Sequence, residues 1–355
     1  MAVQHYWWNG VITTTKNNMA KLTIQQPDID LSKFKDKSVL ITGASGLVGI
    51  NLLAALKTVQ KEYNINIWTW TTKKSEIFDD IFQDCHQIVG DITKQQNNFG
   101  FFYPNFDFII HACGYGQPIK FLSDKIKTIE INTSVTSKLF VMLKEGGTFL
   151  FISSSEVYNG LFKYNIGEHE IGITNTEHPR AAYIEGKKCG EVICNTYREM
   201  GYNVKVARLS ITYGAGTQPN DTRVINSLID KGLNNDKIEL LDDGSSLRTL
   251  CYISDVTEML FNIMLNGKDF IYNVGGTDVI SILNIAKKIG SILDKEVITP
   301  SESNGLAGNP SLVNLSIEKY LNEFGQKDFY PLDAGIMNTI NWQKQLNNER
   351  NKINK

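Results

Sequence analysis

Ser38-Val39-Leu40-Ile41-Thr42 is an apolar run rich in β-branched residues, followed at once by Gly43-Ala44-Ser45-Gly46-Leu47-Val48-Gly49 and by apolar residues at helical spacing through Leu56. A buried strand, a glycine turn and a helix in that order are the context a dinucleotide fingerprint requires, and few folds begin this way. Gly43 permits the tight turn, Gly46 lets the backbone approach a pyrophosphate, and Gly49 lets helix and strand pack closely. The helix N-terminus then directs its partial positive charge at the phosphates. Ser45, Leu47 and Val48 belong with the glycines among the candidate cofactor-binding residues. The spacing is G-x-x-G-x-x-G rather than G-x-G-x-x-G.

Strands and helices continue to alternate downstream. Asn66 to Trp70 reads as a second strand ending at Thr71 and Thr72, with Lys73 and Lys74 beyond. An acidic residue normally ends this strand and grips the adenosine ribose of NAD, so Thr71 in its place leaves NADP open beside NAD. Ile88-Val89-Gly90-Asp91-Ile92 reads as a short strand whose Asp91 could accept from an adenine amino group, with Ile92 beside it. Phe106 to Ile110 runs into His111-Ala112-Cys113-Gly114, where Ala112 and Cys113 would let a dinucleotide lie over the backbone. Ile126 to Leu143 has helical spacing and holds Asn132, a further cofactor candidate. Gly147 to Ile152 is a fifth strand, and Asn203 to Leu209 is another after the helix from Tyr183 to about Met200. The expected architecture is a doubly wound parallel α/β sheet of the Rossmann type with a smaller C-terminal substrate lobe. The boundaries are an N-terminal extension over 1–36, a dinucleotide-binding domain over 37–212 that also takes in parts of 238–265, a substrate lobe over most of 213–345, and a tail over 346–355.

A net charge of −2 offers no broad basic field, which argues against nucleic acid or an anionic membrane surface as partner. The five cysteines form no C-x-x-C pair and read as reduced thiols, and the scattered histidines give no metal pattern. With no apolar run of membrane-spanning length and no basic region ahead of an apolar one at the N-terminus, the expected location is the cytoplasm. The cluster Tyr6-Trp7-Trp8 suits packing on the main body, on a partner subunit, or a flexible arm.

Chemistry concentrates in Ser153-Ser154-Ser155-Glu156-Val157-Tyr158 and Tyr183-Ile184-Glu185-Gly186-Lys187. The first stretch lies at the carboxyl end of a strand, where open α/β sheets bind ligands. In the second, Tyr183 and Lys187 share one helix face, so a phenol and an ammonium can meet. A cation within about 4–6 Å lowers an acid's pKa by roughly 1–3 units, so a Tyr183 phenolate near neutral pH is the expectation.

With these motifs in order, residues 37–345 resemble the extended short-chain dehydrogenase/reductases that modify nucleotide sugars, and most of all the UDP-glucuronate decarboxylases. Ile126-Lys127-Thr128 to Asn132, Ser155-Glu156-Val157-Tyr158, Pro179 to Lys187, Asn220-Asp221-Thr222-Arg223-Val224 and Arg248 to Asp255 carry the resemblance. It implies that Tyr183 takes the proton of a sugar C4 hydroxyl while hydride leaves C4 for NAD, that Lys187 holds the nicotinamide ribose, and that Ser154 orients the C4 oxygen. Ser155 and Glu156 complete the catalytic set. Glu156, Arg223 and Arg248 face the substrate, Arg248 at the diphosphate or a carboxylate. The fate of the 4-keto sugar stays open among decarboxylation, which is favoured, dehydration, epimerisation and release of the ketone. Many 4,6-dehydratases have Asp-Glu where Ser155-Glu156 stands. A dinucleotide-sensing regulator is the non-enzymatic alternative. The helices over 126–143 and 183–200 resemble the pair that forms a four-helix homodimer interface. No arginine stands near Asn309-Pro310-Ser311, where the family commonly has one.

Overall fold

The computed structural model describes residues 29–94, 103–301 and 308–353. Its strands, in chain order, are β1 (Ser38–Thr42), β2 (Asn66–Thr71), β3 (His86–Val89), β4 (Phe106–His111), β5 (Leu143–Ser154), β6 (Asn203–Leu209), β7 (Ile211–Tyr213), β8 (Lys237–Glu239), β9 (Leu247–Tyr252), β10 (Ile271–Val274), β11 (Val279–Ser281), β12 (Glu296–Ile298) and β13 (Leu312–Val313). Seven form a parallel sheet in the order β10-β6-β5-β4-β1-β2-β3. Strands buried on both faces need apolar residues at every position, and all five residues of β1 are buried. Val39 and Ile41 face a core shared with the helices Leu47–Val59 and Ile253–Asn266, while Leu40 faces one built from Val135 to Met142 and the helix Ala181–Glu199. The doubly wound sheet is therefore as expected.

Strand order reverses between β1 and β4, and this opens a crevice at their carboxyl ends. The segment read mainly as a substrate lobe returns β10 to the far edge of the large sheet. Its other strands form a small sheet in which β9 pairs with β7, β11 and β13, and a β8–β12 pair. Helices Val224–Asn234, Ile282–Leu293 and Leu332–Ile353 cover that part of the chain, and their apolar faces run into the same core as β1. Leu31 and Phe34 are buried there too. Tyr6-Trp7-Trp8 lies outside the described residues.

Two elements differ from their sequence pattern. The helix expected over Ile126 to Leu143 is broken into Lys125–Asn132, Ser134–Leu139 and a 3-10 turn at Phe140–Met142. The hydroxyls of Thr133 and Thr136 each donate at 2.8 Å to a carbonyl one turn back, of Ile129 and Asn132, and Thr133 leaves the helical region at φ −115°, ψ −84°. Such back-bonding competes with the backbone ladder and bends helices. The third strand ends at Val89, before Gly90 and a turn in which Asp91 accepts from the amide and hydroxyl of Thr93.

A buried ion pair ties the sheet to the helix of Tyr183. Arg208 on β6 holds Glu191 through two nitrogens at 2.6 and 3.0 Å, Ser153 donates to the same carboxylate, and Arg208 also donates to Tyr158, which donates to Asn273 on β10. Both ends of the pair are almost fully buried. Removing one partner strands a charge in a low-dielectric interior, so Glu191→Ala should lower the unfolding free energy by about 3–5 kcal/mol. Urea denaturation followed by circular dichroism checks this, and a loss under about 1 kcal/mol would show that water reaches the pair.

Candidate active site

At the crevice, Gly43 adopts φ +69°, and a Cβ there would stand 2.7 Å from the Ala112 carbonyl oxygen and the Cys113 Cα. A Cβ on Gly49 would lie 2.4 Å from the Gly43 oxygen, so the turn and the first helical turn close on each other. Gly46 is the N-cap, has ordinary φ, and supplies no side-chain cap, which leaves the first-turn amides of Leu47, Val48 and Gly49 without a side-chain acceptor. Ser45 is half-buried, and its carbonyl accepts from Gln218 at 2.9 Å. Thr71 is buried at the end of β2, with Lys73 and Lys74 exposed after it. Asp91 pairs with Lys127 at 2.7 Å; although burial raises its pKa, its hydrogen bonds to Lys127 and Thr93 outweigh that and hold the carboxyl below its usual range. Ile92 is buried beside it.

Ala112 and Cys113 follow β4, and the Cys113 amide donates to Thr42 at 3.3 Å. Burial pushes the Cys113 thiol up to about 11. Thr42 lies 2.8 Å from His111 Nδ1, and His111 Nε2 lies 3.1 Å from the Ile131 carbonyl, which as an acceptor assigns the proton to Nε2. Burial pushes this histidine down to about 3, so it is a neutral strut from the glycine turn to the bent helix. Asn132 donates to the Thr128 carbonyl, but its buried Oδ1 has no partner among the described residues. An uncapped helix start, a turn too tight for a methyl group and an orphaned amide oxygen together fit a bound dinucleotide.

On the other side of the crevice Ser154 ends β5 and caps the turn Ser155–Tyr158, in which Ser155 is buried. Tyr183 and Lys187 lie in the first two turns of Ala181–Glu199, both nearly fully buried. Ser154 hydrogen-bonds the Tyr183 phenol. The Lys187 ammonium donates to the Ile152 carbonyl at 2.7 Å and stands 5.9 Å from the Tyr183 ring centroid. Burial pushes the phenol up to about 12 and Lys187 down to about 8. The expected lowering of Tyr183 by Lys187 is thus corrected: the ammonium is turned to the strand, and the groups that favour phenolate are Ser154, Arg180 and Arg223. Phe121 stacks on Tyr183 at 4.5 Å between centroids.

Glu156 is half-buried and joined to Arg180 at 2.6 Å. Arg180 has 4% exposure, also donates to Asn309 at 2.6 Å, and lies 5.1 Å from the Phe121 ring. Arg248, on β9, donates to the carbonyls of Leu247 and Pro310, and burial lowers it to about 10 while Glu156 and Arg180 act on it across the site. Arg223 stands at the N-cap position of its helix without a side-chain cap and donates to the Asp221 carboxylate, within electrostatic reach of Tyr183. Arg180, Asn309 and His111 stand in stretches of the sequence that give them no role by spacing, and Phe121 carries no motif at all. The only available signal for Arg180 was an arginine one helical turn before Tyr183.

A phenol, a hydroxyl and an ammonium beside a dinucleotide crevice define an acid/base oxidoreductase of the short-chain type. A sequence model of the NAD dependent epimerase/dehydratase family matches residues 39–275. The chain belongs to that family. UDP-glucuronic acid decarboxylase 1 of Xenopus tropicalis is 27% identical, over 95% of this chain and 79% of its own. The structure of UDP-glucuronic acid 4-epimerase from Bacillus cereus with UDP-glucuronic acid and NAD is similar at TM-score 0.74 and 21% identity, covering 87% of this chain and 99% of that one. An epimerase from Methanothermobacter thermautotrophicus reaches TM-score 0.77 at 19% identity, over 90% and 96%.

The tight turn makes a direct test. Gly49→Ala should weaken NAD binding, measured by calorimetry, by about tenfold or more, about 1.4 kcal/mol. Unchanged affinity in a folded variant would show that the turn does not carry the cofactor.

Proposed function

We propose that the protein is an NAD-dependent enzyme that oxidises the C4 hydroxyl of a nucleotide sugar, with decarboxylation of a nucleotide uronate as the favoured outcome. The observation that carries this is the composition of the wall around Tyr183. Arg180 and Arg223 both act electrostatically on Tyr183, Arg180 and Arg248 both act with Glu156, and Lys187 is buried one helical turn from Tyr183, so three guanidiniums and an ammonium converge on one largely buried site. Convergent guanidiniums suit the oxygens of a diphosphate joined to an acidic sugar.

Ser154 orients the C4 oxygen and passes its proton toward Tyr183, which acts as the base once its phenol is ionised. Lys187, fixed by the Ile152 carbonyl, holds the nicotinamide ribose. Bound NAD supplies the acceptor for the C4 hydride and the donor for its return. In the 4-keto sugar the C5 position is acidified, and a carboxylate at C5 makes a β-keto acid. Its carbon–carbon bond breaks with the electron pair moving toward the C4 oxygen, and a proton is then returned to C5. Glu156 lies within the same pocket as a carboxylate for that proton traffic. The lean to decarboxylation rests on Ser155-Glu156 and on the decarboxylase relatives. The cofactor is taken as NAD, with Thr71, Lys73 and Lys74 the residues on which use of NADP would turn.

Incubation with NAD and a panel of nucleotide sugars, read by product mass, should show loss of carbon dioxide from a nucleotide uronate. Loss of water, loss of two hydrogens or an unchanged mass with an inverted C4 would assign dehydration, dehydrogenation or epimerisation; no turnover of any nucleotide sugar would overturn the proposal. Tyr183→Phe should lower turnover by about 10²- to 10⁴-fold while NAD still binds. A dinucleotide sensor would keep its function in that variant.

A homodimer through Lys125–Leu139 and Ala181–Glu199 accords with apolar side chains that these helices leave to solvent, Ile126 at 70% and Val192 at 63% exposure. Gly190 lets the two helices approach within one chain, since a Cβ there would stand 2.7 Å from the Asn132 carbonyl oxygen. Light scattering should give twice the chain mass, and Ile126→Glu should halve it. A monomeric wild-type protein would contradict the interface.

A further inference from the structure

Glu156 and Tyr183 reach the site from different elements, and one buried side chain touches the surroundings of both. Arg180 Nη2 donates to Glu156 Oε1 at 2.6 Å, and Nη1 donates to Asn309 Oδ1 at 2.6 Å. The plane of its guanidinium approaches Phe121, whose ring stacks on Tyr183 with 13° between the planes. Arg180 Nε is buried with no partner among the described residues. The other Glu156 oxygen has only a long contact, from Asn159 at 3.5 Å. Asn309 precedes β13, whose Val313 joins Leu315 in a small apolar cluster with Val157, Tyr158 and Ile166, and Leu315 bridges to Ile166. The segment 308–315 is thus joined to the catalytic turn at one end by apolar packing and at the other through Arg180.

We propose that Arg180 is a positioning residue that acts through Glu156: it holds the carboxylate in place by one oxygen, leaves the other for substrate, and makes this arrangement depend on the docked segment 308–315. The inference rests on the catalytic reading of Glu156. A carboxylate in a half-buried site loses much of its hydration, and a bidentate or paired arginine compensates for that loss. Arg180 divides its two terminal nitrogens between Glu156 and Asn309, a fork that a lysine cannot reproduce. Arg248 also lies within electrostatic reach of Glu156, but its guanidinium is committed to the Leu247 and Pro310 carbonyls.

The test uses the full-length protein with NAD, in the wild type, Arg180→Met, Arg180→Lys, Asn309→Ala, Glu156→Gln and the double variant Arg180→Met/Glu156→Gln. Melting temperatures establish that each variant is folded. Hydrogen exchange of the peptide over 308–315 reads the clamp with no sugar present: protection should fall in Arg180→Met and in Asn309→Ala, with Arg180→Lys between. Unchanged protection in folded Arg180→Met overturns the proposal, whether or not any sugar is turned over. With the nucleotide sugar that the wild type consumes, Arg180→Met should lower kcat more than it raises KM, because the carboxylate is misplaced while the substrate's other contacts remain, and Arg180→Lys should recover part of the loss. The double variant should be no slower than Glu156→Gln alone. Multiplying losses, or a raised KM with kcat intact, would show that Arg180 does not act through Glu156. A wild type that turns over nothing defeats the functional reading and leaves the exchange result to decide the clamp.

Discussion

The site depends on a space too small for a methyl group. Where strand order reverses, the turn after β1 and the end of β4 approach until a Cβ on Gly43 would overlap Ala112, and the helix behind closes until a Cβ on Gly49 would overlap Gly43. This packing aims an uncapped helix start into the crevice. Thr42 and His111 brace it from below, with a neutral imidazole joining two strands to the Ile131 carbonyl. Any larger residue in the turn would push the helix away from the sheet and remove the concentrated positive end that a pyrophosphate needs.

On the opposite wall, burial works against the chemistry and neighbouring groups work for it. Desolvation alone favours a neutral phenol at Tyr183 and a neutral amine at Lys187. Lys187 is stabilised by a carbonyl of β5, whereas Tyr183 is biased toward ionisation by Ser154, Arg180 and Arg223. Tyr183 and Lys187 are therefore tuned by residues from three separate segments of the chain, β5, their own helix and the start of Val224–Asn234. Behind them, the Arg208–Glu191 pair fixes the strand end that carries Ser154 to the helix that carries Tyr183.

Much of this was legible in the sequence because buried parallel strands leave unbroken apolar runs. Asn203–Leu209 was read with its observed ends, and β1 with its glycine turn announced the crevice. Tyr183 and Lys187 were legible from helical spacing, but the direction of the Lys187 ammonium was not, because the Ile152 carbonyl that captures it lies on another element. The bend at Thr133 escaped because hydroxyl back-bonding leaves the apolar period intact. Arg180 shows the same limit. Its partners stand 24 and 129 residues away, a distance over which no spacing rule operates.

The central claim is that hydride leaves C4 of a sugar while Tyr183 takes the hydroxyl proton. Rapid mixing of the NAD-bound protein with a nucleotide uronate carrying deuterium only at C4 tests it most directly. The account predicts slower formation of reduced nicotinamide than with the protiated sugar, with the deuterium recovered on the nicotinamide. Reduction at the same rate for both sugars, with the label still on the sugar, would contradict it.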